Sequence, residues 1–295
     1  MNSRLQRGIA RIIGLTVLIC AASAGAATAA GPFPKAVRAG PPQFDSQVDT
    51  LADAVNDPGR SAENRARDPW RRPQQALTFW GLRPGDTILE LDPGAGYWTE
   101  ILAPFAKTTN GTYIATGADL DDPATPEFAR RGRAAFEAKF GVKTVSLGLN
   151  SGPLAAPDSV DFVLTARSIH DWMRRPGLLE KILADSFAAL KPGGVLAVED
   201  HRADPRPMVP DARDGYVSEA FVIAAAEKAG FRLAARSEVL ANPKDSKDHP
   251  FGVWTLPPTR RSAPPGQPAD PKFDHTRFDR IGESDRMALR FVKPK

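Results

Sequence analysis

Two neighbouring His–Asp pairs carry the side chains in this chain that could do acid–base chemistry. His170 is followed by Asp171, and Asp200 is followed by His201. Each pair comes shortly after an apolar run typical of a β-strand, and neighbouring parallel strands end at the same edge of a sheet. A histidine oriented by a carboxylate accepts a proton from an oxygen or a nitrogen near neutral pH. We therefore predict that one histidine is a general base and that an aspartate orients it. Hydrogen bonds that only tie loops to the sheet edge are the alternative.

The same four side chains offer nitrogen and oxygen ligands that zinc or iron accepts. The chain has no His-x-His or His-Glu-x-x-His spacing, which a preformed metal site would favour. We therefore predict no metal ligand, and a metal-dependent hydrolase stays open as an alternative.

A glycine-containing segment, Glu90-Leu-Asp92-Pro-Gly94-Ala-Gly96-Tyr97, has the form of a ligand-binding turn. It lies between an apolar strand pattern and an amphipathic helix pattern. Glycines let the backbone approach a ligand closely, and the following helix offers free N–H groups. The Gly-Lys-Ser/Thr of a phosphate loop is absent, and Thr99 stands where a dinucleotide fingerprint has its last small residue. Both nucleotide classes are disfavoured, which leaves a plain tight turn or a turn for another ligand.

Strand and helix patterns alternate around these motifs. Apolar runs predict seven strands, at 87–91, 112–116, 142–147, 160–165, 195–198, 231–240 and 287–292. Amphipathic stretches predict helices at 97–106, 126–140, 178–190 and 218–229, and a helical pattern with breaks precedes them at 47–79. The alternation predicts an α/β fold, a Rossmann-like doubly wound seven-stranded sheet that is mostly parallel.

The glycine turn, Lys191-Pro-Gly-Gly194 before the fifth strand, and Ala226-Glu-Lys-Ala-Gly-Phe231 before the sixth together resemble the class I S-adenosylmethionine-dependent methyltransferases. With its His-Asp-Trp and Asp-His-Arg segments, the stretch 82–292 is similar to a group of bacterial methyltransferases, many of which have export signals. The resemblance implies that the last strand is antiparallel and that S-adenosylmethionine is the cofactor.

The resemblance also implies a cofactor site formed by Glu90, Asp92, Gly94, Gly96, Tyr97, Asp119 and Asn150. Glu90 would order water or contact the amino-acid part of the cofactor. Asp119 would accept hydrogen bonds from the ribose hydroxyls, with Asp121 and Asp122 as the alternatives. Asn150 would accept one from the adenine amino group. Asp92 replaces the first of the family's three glycines. Its carboxylate could attract the ammonium or sulfonium charge, or it could mark a site that no longer binds.

The first 29 residues predict a cleaved secretory signal. Arg4, Arg7 and Arg11 precede a mostly apolar stretch, and Ala27-Thr-Ala29 offers a cleavage site. The strongly apolar part is shorter than the roughly 20 residues that span a bilayer, so we expect no stable membrane anchor. We expect an exported protein, periplasmic or secreted. The chain's one cysteine lies inside this signal, so the mature chain has no thiol for a disulfide.

After the signal we predict a flexible lead-in over 30–48 and one methyltransferase-like domain over 49–295, with a Pro-rich surface excursion at 256–285. Without the three early arginines, 36 basic residues face 35 acidic ones, from totals of 39 and 35. This near-neutral balance disfavours a nucleic-acid partner.

Before the first strand lie Arg60, Arg65, Asp68, Trp70, Arg71 and Arg72. The favoured interpretation of these residues is a solvated helix face, and a grip on an anionic substrate is the alternative.

These observations predict transfer of a methyl group from S-adenosylmethionine to a small-molecule acceptor, with a His–Asp pair accepting the proton. Two alternatives stay open: an exported binding protein that keeps the fold without the activity, and the metal-dependent hydrolase. The binding protein is favoured by one physical fact, since S-adenosylmethionine is made in the cytoplasm.

Overall fold

A computed structural model describes residues 50–205 and 210–295. The predicted signal peptide (1–29) and lead-in (30–48) lie outside these ranges. Within them, no helix is both long and apolar enough to cross a lipid bilayer.

Seven strands form a single sheet in the order β3-β2-β1-β4-β5-β7-β6. They are β1 (Thr87–Leu91), β2 (Thr112–Ala118), β3 (Thr144–Leu147), β4 (Val160–Ala166), β5 (Leu190–His201), β6 (Arg232–Ser237) and β7 (Arg286–Val292). The neighbouring pairs from β3 through β5 are parallel, whereas β7 runs antiparallel to both β5 and β6. The predicted fold class is confirmed, including the antiparallel last strand.

Helices cover both faces of the sheet. Those that connect strands are α5 (Thr99–Thr108), α6 (Glu127–Phe140), α8 (Leu178–Ala189) and α9 (Glu219–Lys228). Four short helices precede the sheet: α1 (Leu51–Asn56), α2 (Ala62–Arg65), α3 (Asp68–Arg71) and α4 (Pro73–Trp80). Two more follow later in the chain, α7 (Ile169–Trp172) and α10 (Thr276–Ile281). The predicted breaks before the sheet arise where Arg72 takes a left-handed conformation and Pro73 begins α4.

The side chains of β5 show how one strand supplies two cores. Leu196 and Val198 pack on one face with α8 and α9, and Val195 and Ala197 pack on the other with α4 and α5. A parallel strand buried on both faces must be apolar throughout, which is the pattern that located this strand in the sequence. The polar residues at its end, Glu199 to His201, therefore emerge at the carboxyl edge of the sheet.

Two segments differ from the predictions. β5 begins at Leu190, because Leu190 already pairs with β4 ahead of a register shift, so the Lys191–Gly194 segment belongs to the strand. The segment 256–285 is not wholly a surface excursion. It contains α10, and Leu256, Phe278 and Ile281 form a small apolar cluster of their own. The polar segment that follows α10 is also buried, because its charged groups pair with residues from distant parts of the chain.

Candidate functional site

The glycine turn lies at the carboxyl end of β1, directly before α5. Three of its residues have left-handed backbones: Asp92 (φ +49°), Gly94 (φ +58°) and Gly96 (φ +86°). The Asp92 amide donates to Thr116 Oγ1 at 2.8 Å, which joins the turn to β2. A Cβ on Gly96 would lie 2.3 Å from the Phe140 ring, whereas a Cβ on Gly94 would meet nothing within 4 Å. Gly96 therefore serves packing, and Gly94 leaves space for a ligand.

A cleft of about 380 Å³ opens beside this turn. One wall is the turn itself, from Asp92 to Ala95, with the ring of Tyr97 beside it. The opposite wall is the segment that follows β4, from Ala166 to Ser168, together with Asp171. Arg67 and Pro258 complete the lining. The cleft thus lies between the carboxyl ends of β1 and β4, where open α/β sheets bind their ligands.

The sequence-predicted cofactor residues divide between this cleft and its surroundings. Asp92, Gly94 and Tyr97 line the cleft. Asp119 and Asn150 do not; they follow β2 and β3, further along the same edge. The Asp119 carboxylate is buried, accepts a hydrogen bond from the Asp121 amide at 3.1 Å and packs against Gly148. Asn150 is exposed.

Glu90 is buried beneath the turn and does not line the cleft. Its Oε2 accepts hydrogen bonds from Thr99 Oγ1 at 2.8 Å and from the Tyr113 hydroxyl at 2.6 Å. Burial raises the pKa of Glu90 to about 7, although both hydroxyl donors act to lower it. The side chain therefore anchors α5 and β2 to β1 and supports the turn from below.

The Asp92 carboxyl group has an altered acidity. Asp92 is exposed as a residue, but partial loss of hydration at its carboxyl group, and then the nearby Asp171 carboxylate, raise the pKa of Asp92 above its ordinary value. Two acidic groups, one from each wall, thus line the cleft. A bound cation at this position would relieve their repulsion.

The predicted acid–base residues meet across two strands. His170 Nδ1 lies 2.9 Å from Asp200 Oδ1, while Asp200 Oδ2 accepts from the Ile169 amide at 2.9 Å. The partner of His170 is therefore Asp200 on the neighbouring strand. Asp171, its neighbour in sequence, is half exposed, pairs with Arg174 and lies 3.4 Å from His170 Nε2. Burial alone would lower the pKa of His170, but the Asp200 carboxylate outweighs it and raises this pKa.

His201 belongs to the same group but has a different partner. Its ring centroid lies 5.2 Å from that of His170, and its Nδ1 contacts Ser284 Oγ. Burial and then the charge of His170 hold the pKa of His201 well below its ordinary value. The two sequence-adjacent His–Asp pairs that we predicted are thus one cross-strand pair, His170–Asp200, with a neutral histidine beside it.

Ligand atoms of His170, Asp200 and His201 all lie within 4.8 Å of one another, so this buried group could hold a metal ion. In the structure its atoms have protein partners. His170 Nδ1 pairs with Asp200, and His201 Nδ1 pairs with Ser284. Nδ1 of each histidine and both Asp200 oxygens are therefore engaged in hydrogen bonds within the protein.

A buried cluster of arginines and glutamates borders the cleft, and we call it the arginine cluster. It consists of Arg67, Arg71, Arg167, Arg286, Glu199 and Glu283. Glu283 accepts from Arg67 Nε at 2.6 Å and from Arg71 Nε at 2.9 Å, and it also pairs with Arg286. Glu199 lies near Arg286 and Arg167, at 3.2 Å and 3.7 Å. The favoured interpretation of a solvated helix face is therefore wrong for Arg71, which is fully buried.

Several residues at the site were not predicted from the sequence. Arg67 and Arg167 line the cleft, and Pro258 reaches it from the segment that was predicted to be a surface excursion. The centroid of the Trp254 ring lies 5.9 Å from that of His170, in an edge-on contact. One local signal existed for Arg67 and Arg71, which are four residues apart and so share a helix face. Their partner Glu283 lies more than two hundred residues away, and no local pattern reveals it.

No protein-family model matches this chain. A curated relative, the ubiquinone/menaquinone biosynthesis C-methyltransferase of Hydrogenovibrio crunogenus, is 28% identical over 148 residues, which are 50% of this chain and 54% of the relative. The chain thus spans about half the length of the curated relative that it matches.

Solved structures with a similar fold include two S-adenosylmethionine-dependent methyltransferases. The one from Aquifex aeolicus has a TM-score of 0.43 and 22% identity, covering 64% of this chain and 92% of that chain. The one from Mesorhizobium loti has a TM-score of 0.43 and 15% identity, covering 74% of this chain and 96% of that chain. The strand order with its antiparallel β7 is itself that of the Rossmann-like methyltransferase fold.

Proposed function

We propose that this protein transfers a methyl group from S-adenosylmethionine to a small-molecule acceptor. The observation that carries the proposal is the turn after β1. At Gly94 a left-handed backbone with open space around it faces a cleft that also contains the Asp92 carboxylate.

The residues present fit this cofactor. S-adenosylmethionine supplies an electrophilic methyl group on a positively charged sulfonium, and it also carries an ammonium group. Asp92 and Asp171 provide negative charge on the cleft wall. Further along the edge, Leu120 and Leu149 expose apolar side chains beside Asp119 and Asn150, a surface that suits a flat base with polar edges.

His170 is the residue that we propose as the general base. Asp200 holds the proton on Nδ1, which leaves Nε2 free to accept the proton of an acceptor hydroxyl or amine. Asp171 lines the cleft and lies 3.4 Å from Nε2, so it links the buried ring to the space where an acceptor would bind. The Trp254 ring packs edge-on against the buried His170 ring.

We also propose that the protein is exported, on the strength of the signal-like segment 1–29. This location favours the second candidate, a binding protein that retains the fold. The observation that supports the binding protein is that Asp92 stands where the family has its first glycine. Turnover separates the two candidates, because only the enzyme converts S-adenosylmethionine to S-adenosylhomocysteine in the presence of acceptors.

Calorimetric titration with S-adenosylmethionine and S-adenosylhomocysteine tests the proposal. The wild-type protein should bind both at micromolar concentration. Gly94→Val should abolish binding, because it fills the space that a ligand needs and strains a backbone that favours glycine. Gly132→Val is the matched control, since Gly132 is exposed on α6 and also has open space. Failure of the wild-type protein to bind either compound would overturn the cofactor assignment.

The metal-dependent hydrolase is tested with the same sample. Its supporting observation is the proximity of His170, Asp200 and His201. Elemental analysis and titration with zinc should show less than one equivalent of tightly bound metal, because both Asp200 oxygens and Nδ1 of each histidine already have partners within the protein. Stoichiometric zinc that disappears in Asp200→Asn would favour the hydrolase instead.

A further inference from the structure

We infer that the arginine cluster binds an acidic group of the methyl acceptor, so that the substrate is a small molecule with a carboxylate or phosphate. This inference rests on the proposed function and adds the substrate class to it. Two members of the cluster, Arg67 and Arg167, line the same cleft as the glycine turn.

The cluster holds more positive than negative charge. Four guanidinium groups face two carboxylates, an excess of two positive charges. The neighbouring Arg60 does not add to it, because Arg60 forms a two-bond pair with Asp68 at 2.8 Å. Buried charge that is not matched by opposite charge is costly, and an anion bound in the cleft would offset it.

Donor groups of the cluster also lack partners. Arg71 Nη1 and Nη2, Arg286 Nε and Arg167 Nε are buried without a hydrogen-bond partner among the described residues. Arg71 instead stacks on the Tyr97 ring, at 4.2 Å from its centroid. Guanidinium groups match carboxylate and phosphate oxygens in a planar, two-bond geometry. Of these residues Arg167 lines the cleft, where its unpaired Nε is suited to an oxyanion, and Arg71 and Arg286 add positive charge behind it.

Arg167 has a second unusual property. Its backbone is left-handed, with φ +62°, although it is not a glycine. Such strain is found where surrounding contacts hold a side chain in a required place, and it concentrates at ligand sites. The Arg167 amide donates to the Glu199 carbonyl at 2.8 Å, which fixes this conformation against β5.

The cluster borders the proposed cofactor site, since Arg71 stacks on Tyr97, but it comes from different elements of the fold. The glycine turn follows β1, whereas the cluster comes from α3 and from the ends of β4, β5 and β7, on the other half of the sheet edge. The cleft thus contains both signs of charge: Asp92 and Asp171 suit the cationic cofactor, and Arg67 and Arg167 suit an anion. We assign the anion that binds these arginines to the methyl acceptor. The cofactor's own carboxylate is the other anionic group that could bind them.

Thermal unfolding of the protein saturated with S-adenosylhomocysteine tests this assignment. Sodium benzoate, malonate and phosphate are added at constant ionic strength, with neutral benzamide as the matched probe. At least one anion should raise the melting temperature saturably, and benzamide should not. Arg67→Gln and Arg167→Gln should each weaken the binding of that anion at least tenfold. Each should change the affinity for S-adenosylhomocysteine less than twofold. Arg131→Gln, an exposed arginine on α6, is the control that removes the same charge.

Three outcomes decide the matter. If no anion stabilises the wild-type protein more than benzamide does, the inference is wrong, and this comparison needs no variant to fold. If the variants instead bind S-adenosylhomocysteine tenfold more weakly and bind the anion as the wild type does, the arginines hold the cofactor's carboxylate. The inference is then also wrong. If S-adenosylhomocysteine does not bind but an anion still stabilises the wild-type protein through Arg67 and Arg167, the anion site stands and the proposed methyltransferase function falls.

Discussion

Glu90 and Glu283 are both buried carboxyl groups, but their surroundings differ in charge. Glu90 is hydrogen-bonded by two hydroxyl groups, so burial dominates and raises its pKa to about 7. Burial acts on Glu283 in the same direction, but Arg286, Arg71 and Arg67 outweigh it and hold the pKa of Glu283 well below its ordinary value. Near neutral pH, Glu90 is thus partly protonated and Glu283 is an anion.

The first prediction concerns Glu90. Because its pKa is higher in the folded protein (about 7) than the ordinary 4.5, the folded state holds the extra proton. The free energy of unfolding should therefore fall as pH rises from 4.5 to 7 and stay level above that. Glu90→Gln should remove this fall and stabilise the protein at pH 8 by up to about 3 kcal/mol. Both hydroxyls donate to the same oxygen, which an amide oxygen can replace.

Urea unfolding at pH 5 and pH 8 measures this effect. Glu227→Gln, at an exposed position on α9, is the control and should leave the pH dependence unchanged. A Glu90→Gln variant that is less stable than the wild-type protein at pH 8 would show that the Glu90 anion is well accommodated, contrary to the prediction.

The second prediction concerns His170 and depends on the proposed function. His170→Gln should lower kcat about 10²–10⁴-fold, the usual contribution of a general base. Because Nε2 must be unprotonated, kcat should rise with pH, with a midpoint above the ordinary histidine value of 6.5. Asp200→Asn removes the charge that raises this pKa, so it should shift the midpoint to lower pH.

Rates measured with a methyl acceptor across pH 5–9 check both effects. His201→Gln is the comparison, because His201 pairs with Ser284 and should contribute less. A His170→Gln variant that keeps kcat within threefold of the wild type, with an unchanged pH profile, would remove His170 from the proposed mechanism.

At the scale of the element, the glycine turn depends on α6 as well as on β1. Gly96 touches Phe140, the last residue of α6, and leaves no room for a Cβ. The third prediction is that Gly96→Ala destabilises the protein by about 2–4 kcal/mol, since both a left-handed backbone and overpacking are penalised. Phe140→Ala should relieve the overpacking, so the double variant should be less destabilised than the sum of the two single variants.

Free energies of unfolding for the four proteins of this cycle measure the coupling. Strictly additive changes would mean that Phe140 moves aside without cost and that the turn does not depend on α6. Binding of S-adenosylhomocysteine distinguishes Gly94 from Gly96. Gly94→Val should abolish binding with little loss of stability beyond the strain at that residue.

Strand positions were predictable because burial on both faces leaves apolar runs that need no knowledge of partners. The start of β5 and the burial of 256–285 were not predictable, since both depend on pairing with distant segments. The same limit applied to the site. The sequence left open whether Asp171 or Asp200 orients the histidine, and the sheet places Asp200 against His170. Roles assigned to Asp119 and Asn150 stay predictions.

At the scale of the whole molecule, the arginine cluster joins the two ends of the domain. Arg67 and Arg71 lie before the sheet, and Glu283 and Arg286 lie at its last strand. Between them, Glu199 accepts from Trp98 Nε1 at 3.0 Å, which adds the start of α5. These contacts hold the N-terminal helices over the carboxyl edge of the sheet, where the cleft lies.

The last prediction is that Glu283→Gln destabilises the protein by about 3–5 kcal/mol at pH 7, because it leaves several buried guanidinium groups without their shared anion. The lowered pKa of Glu283 means that its stabilisation is complete above pH 4.5 and is lost as pH falls below that value. The variant should therefore differ least from the wild type in acid. Urea unfolding at pH 3.5 and pH 7 measures this difference, with Glu227→Gln as the control. A loss below 1 kcal/mol at pH 7 would show that the cluster does not hold the two ends together, and that the apolar contacts of the N-terminal helices and hydrogen bonds such as those from Ser61 to Glu100 are sufficient.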